Sequence, residues 1–269
     1  MTRYALFGDI QGHVGPYEAA LRALGVDVET GAVPEGVVII QVGDLVHKGP
    51  DSAATIALAD RLLTTSPTRY VQLAGNHEGH YLGGPEFWSK PIDPASAVTL
   101  AQWYIDGRLQ IATSVTIGAT DLFISHGGLT VSNWKRLGSL TTARSVAEVL
   151  NDEFRTEPAF ALRPGRMLMG AEGPPGVAWS EPHDELYQPW LAEENAPFGQ
   201  VHGHASIVNW RSGRFYRGVD RKLRKPMLVD HEARHTSITL GGQPFYGIDT
   251  AYGASEATPV PTPLLFDAG

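Results

Sequence analysis

Apolar and polar positions along the first third of the chain fall into runs whose spacing switches between strand and helix. Tyr4-Ala5-Leu6-Phe7-Gly8 is a short, mostly apolar run and predicts a strand. Pro16 stands where a helix can begin. Tyr17, Ala20, Leu21 and Leu24 then recur on one helical face, and Gly25 supplies a stop. Val37-Val38-Ile39-Ile40-Gln41-Val42 is β-branched and nearly all apolar, as expected of a strand buried on both faces. Asp51 or Ser52 can cap a second helix, with Ile56, Ala59 and Leu63 turned inward. Tyr70-Val71-Gln72-Leu73 reads as a third strand. The order is βαβαβ, which implies a parallel sheet with right-handed crossovers.

Past Gly83-Gly84-Pro85 the pattern is less regular. Val98, Ala101 and Ile105 predict a helix buried on that stripe, and Val146, Leu150 and Phe154 predict another. Val115-Thr116-Ile117 and Leu122-Phe123-Ile124, joined by Gly-Ala-Thr, read as a hairpin. The Pro- and Gly-rich stretch 156–182 predicts an ordered surface loop. The last third, with Ile207–Trp210, Arg214–Tyr216 and Ser237–Leu240, suggests a second, mainly antiparallel sheet. The tail after Gly253 reads as a meander. With no internal repeat and no clear linker, the expectation is one domain over 1–269: a core to about residue 253 and a tail over 254–269.

Composition narrows the function. The chain has 269 residues, 42% of them apolar and 19% charged, which is ordinary for a globular protein with a sizeable core. The net charge of −8 argues against nonspecific nucleic-acid binding. With no cysteine, disulfides and thiolate metal sites are excluded, so any metal must use oxygen and imidazole ligands. The N-terminus lacks a signal-peptide pattern and no apolar run is long enough to span a bilayer. The expectation is a cytoplasmic protein without a membrane partner.

The chemistry sits where the strands end. The first strand runs into Gly8-Asp9-Ile10-Gln11-Gly12-His13, the second into Gly43-Asp44-Leu45-Val46-His47-Lys48-Gly49, and the third into Gly75-Asn76-His77-Glu78. Later, Ser125 leads to His126-Gly127-Gly128, and Gln200-Val201 to His202-Gly203-His204. Asp9, Asp44 and Asn76 are spaced by about one βαβ unit, roughly 30 residues. Parallel strands set their carboxyl ends along one rim, where open α/β sheets bind ligands, so these side chains should meet. Hard oxygen donors mixed with imidazole suit manganese, iron, zinc or cobalt. A carboxylate on the middle strand, Asp44, is the natural bridge between two ions. Two ions about 3.5–4 Å apart acidify a water and clamp both oxygens of an in-line phosphoryl displacement.

In this order, GDIQG, GDLVHKG, GNHE, HGG and GH resemble the five blocks of the calcineurin-like metallophosphoesterases. Trp179-Ser180-Glu181-Pro182 is similar to a block of the phosphoprotein-phosphatase branch, and Ile248–Gly253 resembles the C-terminal segment of bacterial members. The resemblance implies an α/β fold, a four-layer α/β/β/α sandwich of two mixed sheets flanked by helices. It implies two divalent metal ions, manganese foremost, with iron, zinc, cobalt, nickel and magnesium as alternatives. Position by position, it implies that Asp9 and Gln11 bind the first ion, that Asp44 bridges, and that Asn76, His126 and His204 bind the second. His77 would protonate the leaving oxygen. Lys48 would sit near the phosphate together with Asn76 and His77. A metal-held hydroxide would attack phosphorus directly, with the ions and Lys48 offsetting phosphoryl charge. His13, His47, Glu78 and His202 are expected around the ligands or at simple turn positions.

Three departures bear on the substrate. Gln11 stands where the family usually has histidine, as it does in some bacterial relatives that hydrolyse diadenosine tetraphosphate. His47 stands where protein phosphatases have an aspartate that orients the catalytic histidine. Lys48 replaces an arginine, and a point charge cannot copy the guanidinium fork. The expected substrate is a small phosphorylated molecule or a dinucleoside polyphosphate. A serine/threonine protein phosphatase, supported by WSEP, and a non-catalytic phosphate-ligand-binding protein with a weakened first site are the alternatives. Taken singly, Asp9 and Asn76 would be turn residues and Trp179 a packed aromatic. Arg163 and Arg166 would reach a second phosphate if not simply surface charges. The basic run Arg214–Lys225 reads as a solvated hairpin, and His231 and His235 as surface or strand residues.

Overall fold

The computed structural model describes residues 1–88, 90–169, 171–252 and 259–269. The strands are β1 (Thr2–Phe7), β2 (Val37–Gln41), β3 (Tyr70–Leu73), β4 (Leu109–Gln110), β5 (Ala112–Ile117), β6 (Thr120–Ser125), β7 (Gly199–His202), β8 (Val208–Asn209), β9 (Arg214–Phe215), β10 (Leu228–Asp230), β11 (His235–Leu240), β12 (Gln243–Gly247) and β13 (Leu264–Ala268). One sheet has the order β13-β1-β2-β3-β4 and the other β10-β11-β12-β7-β6-β5. β1, β2, β3 and β4 run parallel, as the βαβαβ pattern predicts. The second sheet is mixed: β6 and β12 both pair parallel to β7, while β5 on one side and β11 and then β10 on the other pair antiparallel. The expected four-layer sandwich of two mixed sheets flanked by helices is the fold observed.

Alternation along the strands builds the middle of the sandwich. Leu6, Ile40 and Leu73 of one sheet meet Leu122, Ile124 and Val201 of the other in a single buried layer. Their neighbours Ala5, Phe7 and Ile39 point the opposite way, into the cluster beneath the helices. Those helices include α1 (Val14–Ala23), α2 (Ser52–Thr65), α3 (Asn76–Gly79), α4 (Pro94–Ile105), α5 (Val131–Arg136) and α6 (Ala143–Thr156). Asp51 caps α2, accepting from the Ala54 N–H at 2.8 Å. None of the helices, among the described residues, is long and apolar enough to cross a membrane.

Five expectations are corrected. Helix α4 exists, but Val98 and Ile105 are exposed, at 67% and 73%. Leu100 and Trp103 are buried instead, and the Trp103 indole N–H donates to Asp60 of α2 at 2.7 Å. Residues 156–182 are not all surface: Val177, Ala178, Trp179 and Ser180 are buried, and the Val177 carbonyl accepts from the Gly127 N–H at 2.6 Å. The strands at 208–209 and 214–215 form a separate two-stranded ribbon and not part of the large sheet. The basic run after them is no hairpin, because Asp220 caps a short helix, Arg221–Arg224, that buries Leu223. In the tail, residues 264–268 form β13, which closes the outer edge of the first sheet by pairing antiparallel with β1. Gly253 and residues 254–258 lie outside the described residues.

The layer between the sheets is the test of this packing. Ile124 is fully buried within it, so Ile124→Ala should lower unfolding stability by about 2–5 kcal/mol in urea titration. A loss under about 0.5 kcal/mol would mean that the sheets do not pack through this face.

Candidate metal centre

Six strands deliver a polar side chain just past their carboxyl ends. β1 delivers Asp9, β2 Asp44 and β3 Asn76. In the second sheet, β6 delivers His126, β7 His204, and β12 Asp249. Backbone hydrogen bonds tie the loops together across the rim. The Asp44 carbonyl accepts from the Ile10 and Gln11 N–H groups at 3.0 and 2.7 Å, the His126 carbonyl from the Gly203 N–H at 2.9 Å, and the Asp9 carbonyl from the Thr250 hydroxyl at 2.8 Å.

The side chains converge. Ligand-capable atoms of Asp9, Asp44 and His126 lie within 4.8 Å of one another. His126 Nε2 is 3.2 Å from Asp44 Oδ1 and 3.0 Å from Asn76 Oδ1. His204 Nδ1 is 2.9 Å from the same Asn76 oxygen, and the His204 backbone N–H donates to Asp9 Oδ1 at 3.0 Å. Gln11 Nε2 donates to Asp9 Oδ2 at 3.2 Å. The structure therefore brings Asp9, Gln11, Asp44, Asn76, His126 and His204 to one place. Ring orientation follows from the outer contacts. His126 Nδ1–H donates to the Val42 carbonyl at 3.0 Å, which aims Nε2 at the carboxylates.

Two atoms in this cluster have no partner. Gln11 Oε1 and His204 Nε2 are buried and make no hydrogen bond. Buried acceptors normally find a donor, and leaving one unmet costs about 1–3 kcal/mol. Both are lone-pair donors of the kind that ligate a cation, so the residues present fit divalent metal.

Charge points the same way. Burial, and then the neighbouring Asp249 carboxylate, push Asp9 well above the usual carboxylate range. Burial also opposes ionisation of Asp44, yet His126 and His77 outweigh it and hold that carboxyl well below its ordinary value. Burial lowers His126, but Asp44 and Asp9 reverse this and raise it to about 9. A proton on His126 thus supplies part of the positive charge that these carboxylates need.

The predicted surrounding residues take distinct places. Glu78 is fully buried and accepts from the backbone N–H groups of Asp44, Leu45, Val46 and Gly75 at 2.7–3.3 Å, so it ties the β2 and β3 loops together. Burial, and then Asp44, raise it to about 7. His202 is bonded to the Tyr187 hydroxyl at 2.6 Å and supports the β7 end. His13 stands at the N-terminus of α1 with its ring edge-on to Tyr252. His77 Nε2 is 3.7 Å from Asp44 Oδ2, and its Nδ1 is 2.6 Å from His47 Nδ1. His47 Nε2 in turn lies 2.5 Å from the Tyr81 hydroxyl. Burial lowers His77 to about 4 and His47 to about 3. Lys48 is close enough for its charge to lower Asp9, Asp44 and Asp249.

Arg163 and Arg166 have partners outside the ligand set. Arg163 stacks over the Phe160 ring, and Arg166 pairs with Asp184. Sequence reasoning missed Asp249, Tyr81, Phe87 and Trp88. Asp249 carried a signal, since it comes after an apolar strand as Asp9 and Asp44 do. Trp179, read as a packed aromatic, is buried against Phe87 and His204.

Backbone strain is concentrated here. Gln11, Asp44, His47, Lys48 and His204 all hold positive φ, at 52°, 57°, 71°, 56° and 64°. Each such residue costs on the order of 1–3 kcal/mol, and strain of this kind collects at functional sites. Two glycines are required by close approach. A Cβ on Gly75 would stand 2.1 Å from Asp44 Oδ1, and one on Gly203 would stand 2.6 Å from Asp9 Oδ1.

Comparison with known proteins agrees with this geometry. Residues 2–221 match the calcineurin-like phosphoesterase family. A curated relative, the symmetrical bis(5′-nucleosyl)-tetraphosphatase of Acidovorax sp. (strain JS42), is 30% identical over 152 residues, which are 53% of this chain and 50% of that protein. The match thus spans half the length of that relative. Among solved structures, the cold-active protein-tyrosine phosphatase of a psychrophilic Shewanella sp. superposes with a TM-score of 0.55 at 15% identity, over 93% of this chain and 72% of that one. That likeness is one of fold. With the family match covering most of its length and the five blocks meeting at one rim, the chain belongs to the calcineurin-like phosphoesterases.

Proposed function

We propose that the chain is a dinuclear metal-dependent phosphoesterase that hydrolyses phosphate ester or phosphoanhydride bonds, with a dinucleoside polyphosphate or another small phosphorylated molecule as substrate. The observation that carries this reading is the pair of unpartnered buried atoms, Gln11 Oε1 and His204 Nε2, inside a ring of oxygen and imidazole donors. Family membership and the tetraphosphatase relative support it.

Asp9 and Gln11 would hold one cation, Asn76, His126 and His204 the other, and Asp44 both. The donor set suits manganese. Two such cations lower the pKa of a water and offset charge on the phosphoryl oxygens.

The chain's own residues do the rest. Lys48 draws the phosphate as a point charge. Asn76, whose Oδ1 already faces two imidazoles, offers its amide N–H to a phosphoryl oxygen. His77 serves as proton donor through Nε2, and its neighbours set the tautomer. The Ile92 N–H donates to the Tyr81 oxygen at 2.9 Å. The Tyr81 O–H can then donate to His47 Nε2, and His47 Nδ1–H to His77 Nδ1. This order uses every donor and leaves the proton of neutral His77 on Nε2. To donate, His77 must first take up a second proton, with His47 then accepting at Nδ1 and carrying its own proton on Nε2. As the bond from phosphorus to the leaving oxygen breaks and a new bond forms to the oxygen of water, the Nε2 proton of that imidazolium passes to the leaving oxygen and leaves neutral His77.

His77→Ala tests the donor role. It should lower kcat on an alkyl ester such as glycerol 2-phosphate by about 10²–10⁴-fold. The loss should be far smaller on p-nitrophenyl phosphate, whose leaving group needs no proton; equal losses on both would remove His77 from that role.

Gly75→Ala tests the cradle. The added methyl should displace the Asp44 carboxylate and abolish tight manganese binding in calorimetry, with the circular dichroism spectrum unchanged. Retained stoichiometric binding would place the metal elsewhere.

Metal affinity should also depend on pH in one direction. In the metal-free chain His126 is protonated below about 9, and it must lose that proton to ligate. Affinity should therefore fall as pH drops from 9 towards 7, with proton release visible as a dependence of binding heat on the buffer used. Pure pH independence over that range would show that no proton leaves His126 when metal binds.

A further inference from the structure

Next to the His47–His77 pair the surface opens into a groove of about 470 Å³, lined by His47, Lys48, Trp88 and Lys90 among others. Trp88 forms its aromatic wall. The indole is stacked on His47, with centroids 5.6 Å apart and planes 13° from parallel, and it lies 5.3 Å from the His77 ring. It is partly exposed. Two carboxylates, Asp51 and Asp93, also line the groove, but each is engaged at a helix start. Asp51 accepts from the Ala54 N–H, and Asp93 from the Ser96 N–H and hydroxyl. Lys48 and Lys90 are the cationic groups left to meet a ligand.

The groove's position gives it a direction. A proton donor must stand on the side of the oxygen that departs, so the groove that shares Trp88 and His47 with His77 lies on the leaving-group side. A planar surface suits a base or an aryl ring, since aromatic stacking is tolerant of which base it meets. The lysines separate those two ligands. Phosphotyrosine releases a neutral phenol that has no use for cations. A nucleotide released from a polyphosphate carries its phosphates with it, and Lys48 both lines the groove and reaches Asp9 and Asp44 with its charge.

We propose that this groove binds the leaving half of the substrate and that it takes a nucleoside 5′-diphosphate, with the base on Trp88 and the phosphates by Lys48 and Lys90. The inference rests on the phosphoesterase function proposed for the chain, but it is tested by binding and not by turnover. Calorimetry on the manganese-loaded protein should show ADP binding about tenfold tighter than inorganic diphosphate, the margin given by stacking of the base. Trp88→Ala should erase that margin by weakening ADP alone, with diphosphate changed less than about twofold. Trp88→Phe, which keeps a ring, should retain part of it. Lys90→Ala should weaken both ligands. Equal affinity for ADP and diphosphate in the unaltered protein would overturn the proposal. So would a margin that survives Trp88→Ala, or a phosphotyrosine peptide that outcompetes ADP through Trp88. A chain that hydrolyses phosphate esters without preferring ADP would sink the groove and leave the phosphoesterase reading standing. A chain that prefers ADP through Trp88 but hydrolyses nothing would do the reverse.

Discussion

Crowding of negative charge at one rim is the constraint around which the structure is arranged. Asp9, Glu78 and Asp249 are all buried within reach of the charge on buried Asp44. Taking several carboxylates out of water is unfavourable unless something compensates each. Glu78 is compensated by four backbone N–H groups and so serves as a clamp between loops. Asp44 is compensated by imidazoles. Asp9 accepts from the His204 N–H and the Gln11 amide, yet burial and the Asp249 charge outweigh the pull of His126 and hold its carboxyl well above the usual range. The arrangement is incomplete as bare protein, and added positive charge would complete it.

The cost of holding this geometry explains the local sequence. Residues such as Gln11, Asp44 and His204 would not choose the left-handed region on their own. They are held there by hydrogen bonds that cross between loops and by glycines that let backbone come close to carboxylate. The energy comes from the layer beneath, where the two sheets bury Leu6, Ile40, Ile124 and Val201 against each other. A rim placed over a well-packed layer can tolerate several strained residues, whereas a mobile loop could not keep its donors aimed.

Much of the fold and most of the rim could be read from the chain, because both depend on period-two alternation and on the residues placed directly after each strand. Asp9, Asp44 and Asn76 each end an apolar run, and parallel pairing then leaves little choice about where they go. Where legibility failed, several physical arrangements suited the same letters. The α4 segment PASAVTLAQWYI is apolar nearly all round, so a stripe through Val98 and Ile105 looked as good as one through Leu100 and Trp103. The choice was made by α2, whose Asp60 offers the Trp103 indole an acceptor. Strand β13 alternates Leu264 and Phe266 inward with Leu265 outward, yet only the free edge of β1 gives that alternation a partner. The aromatic wall was invisible for a different reason: Tyr81, Phe87 and Trp88 are linked to His47 and His77 by contacts across the loop, not by spacing.

His47 shows how a substitution at such a site can be absorbed. An aspartate at this position would hold His77 through a charge, and it would add one more anion to an already crowded rim. Imidazole avoids that addition. It passes the orienting task outward, through its second nitrogen, to the Tyr81 hydroxyl, which is itself fixed by the Ile92 N–H. The price is that His77 gains no anionic partner on its far side, so a proton on both ring nitrogens is less favoured than it would be beside a carboxylate. The same change makes room for an aromatic surface. A neutral flat ring at position 47 stacks on Trp88, where a carboxylate would need to keep its solvation. Orientation of the proton donor and support of the groove's aromatic wall thus meet at one residue, His47.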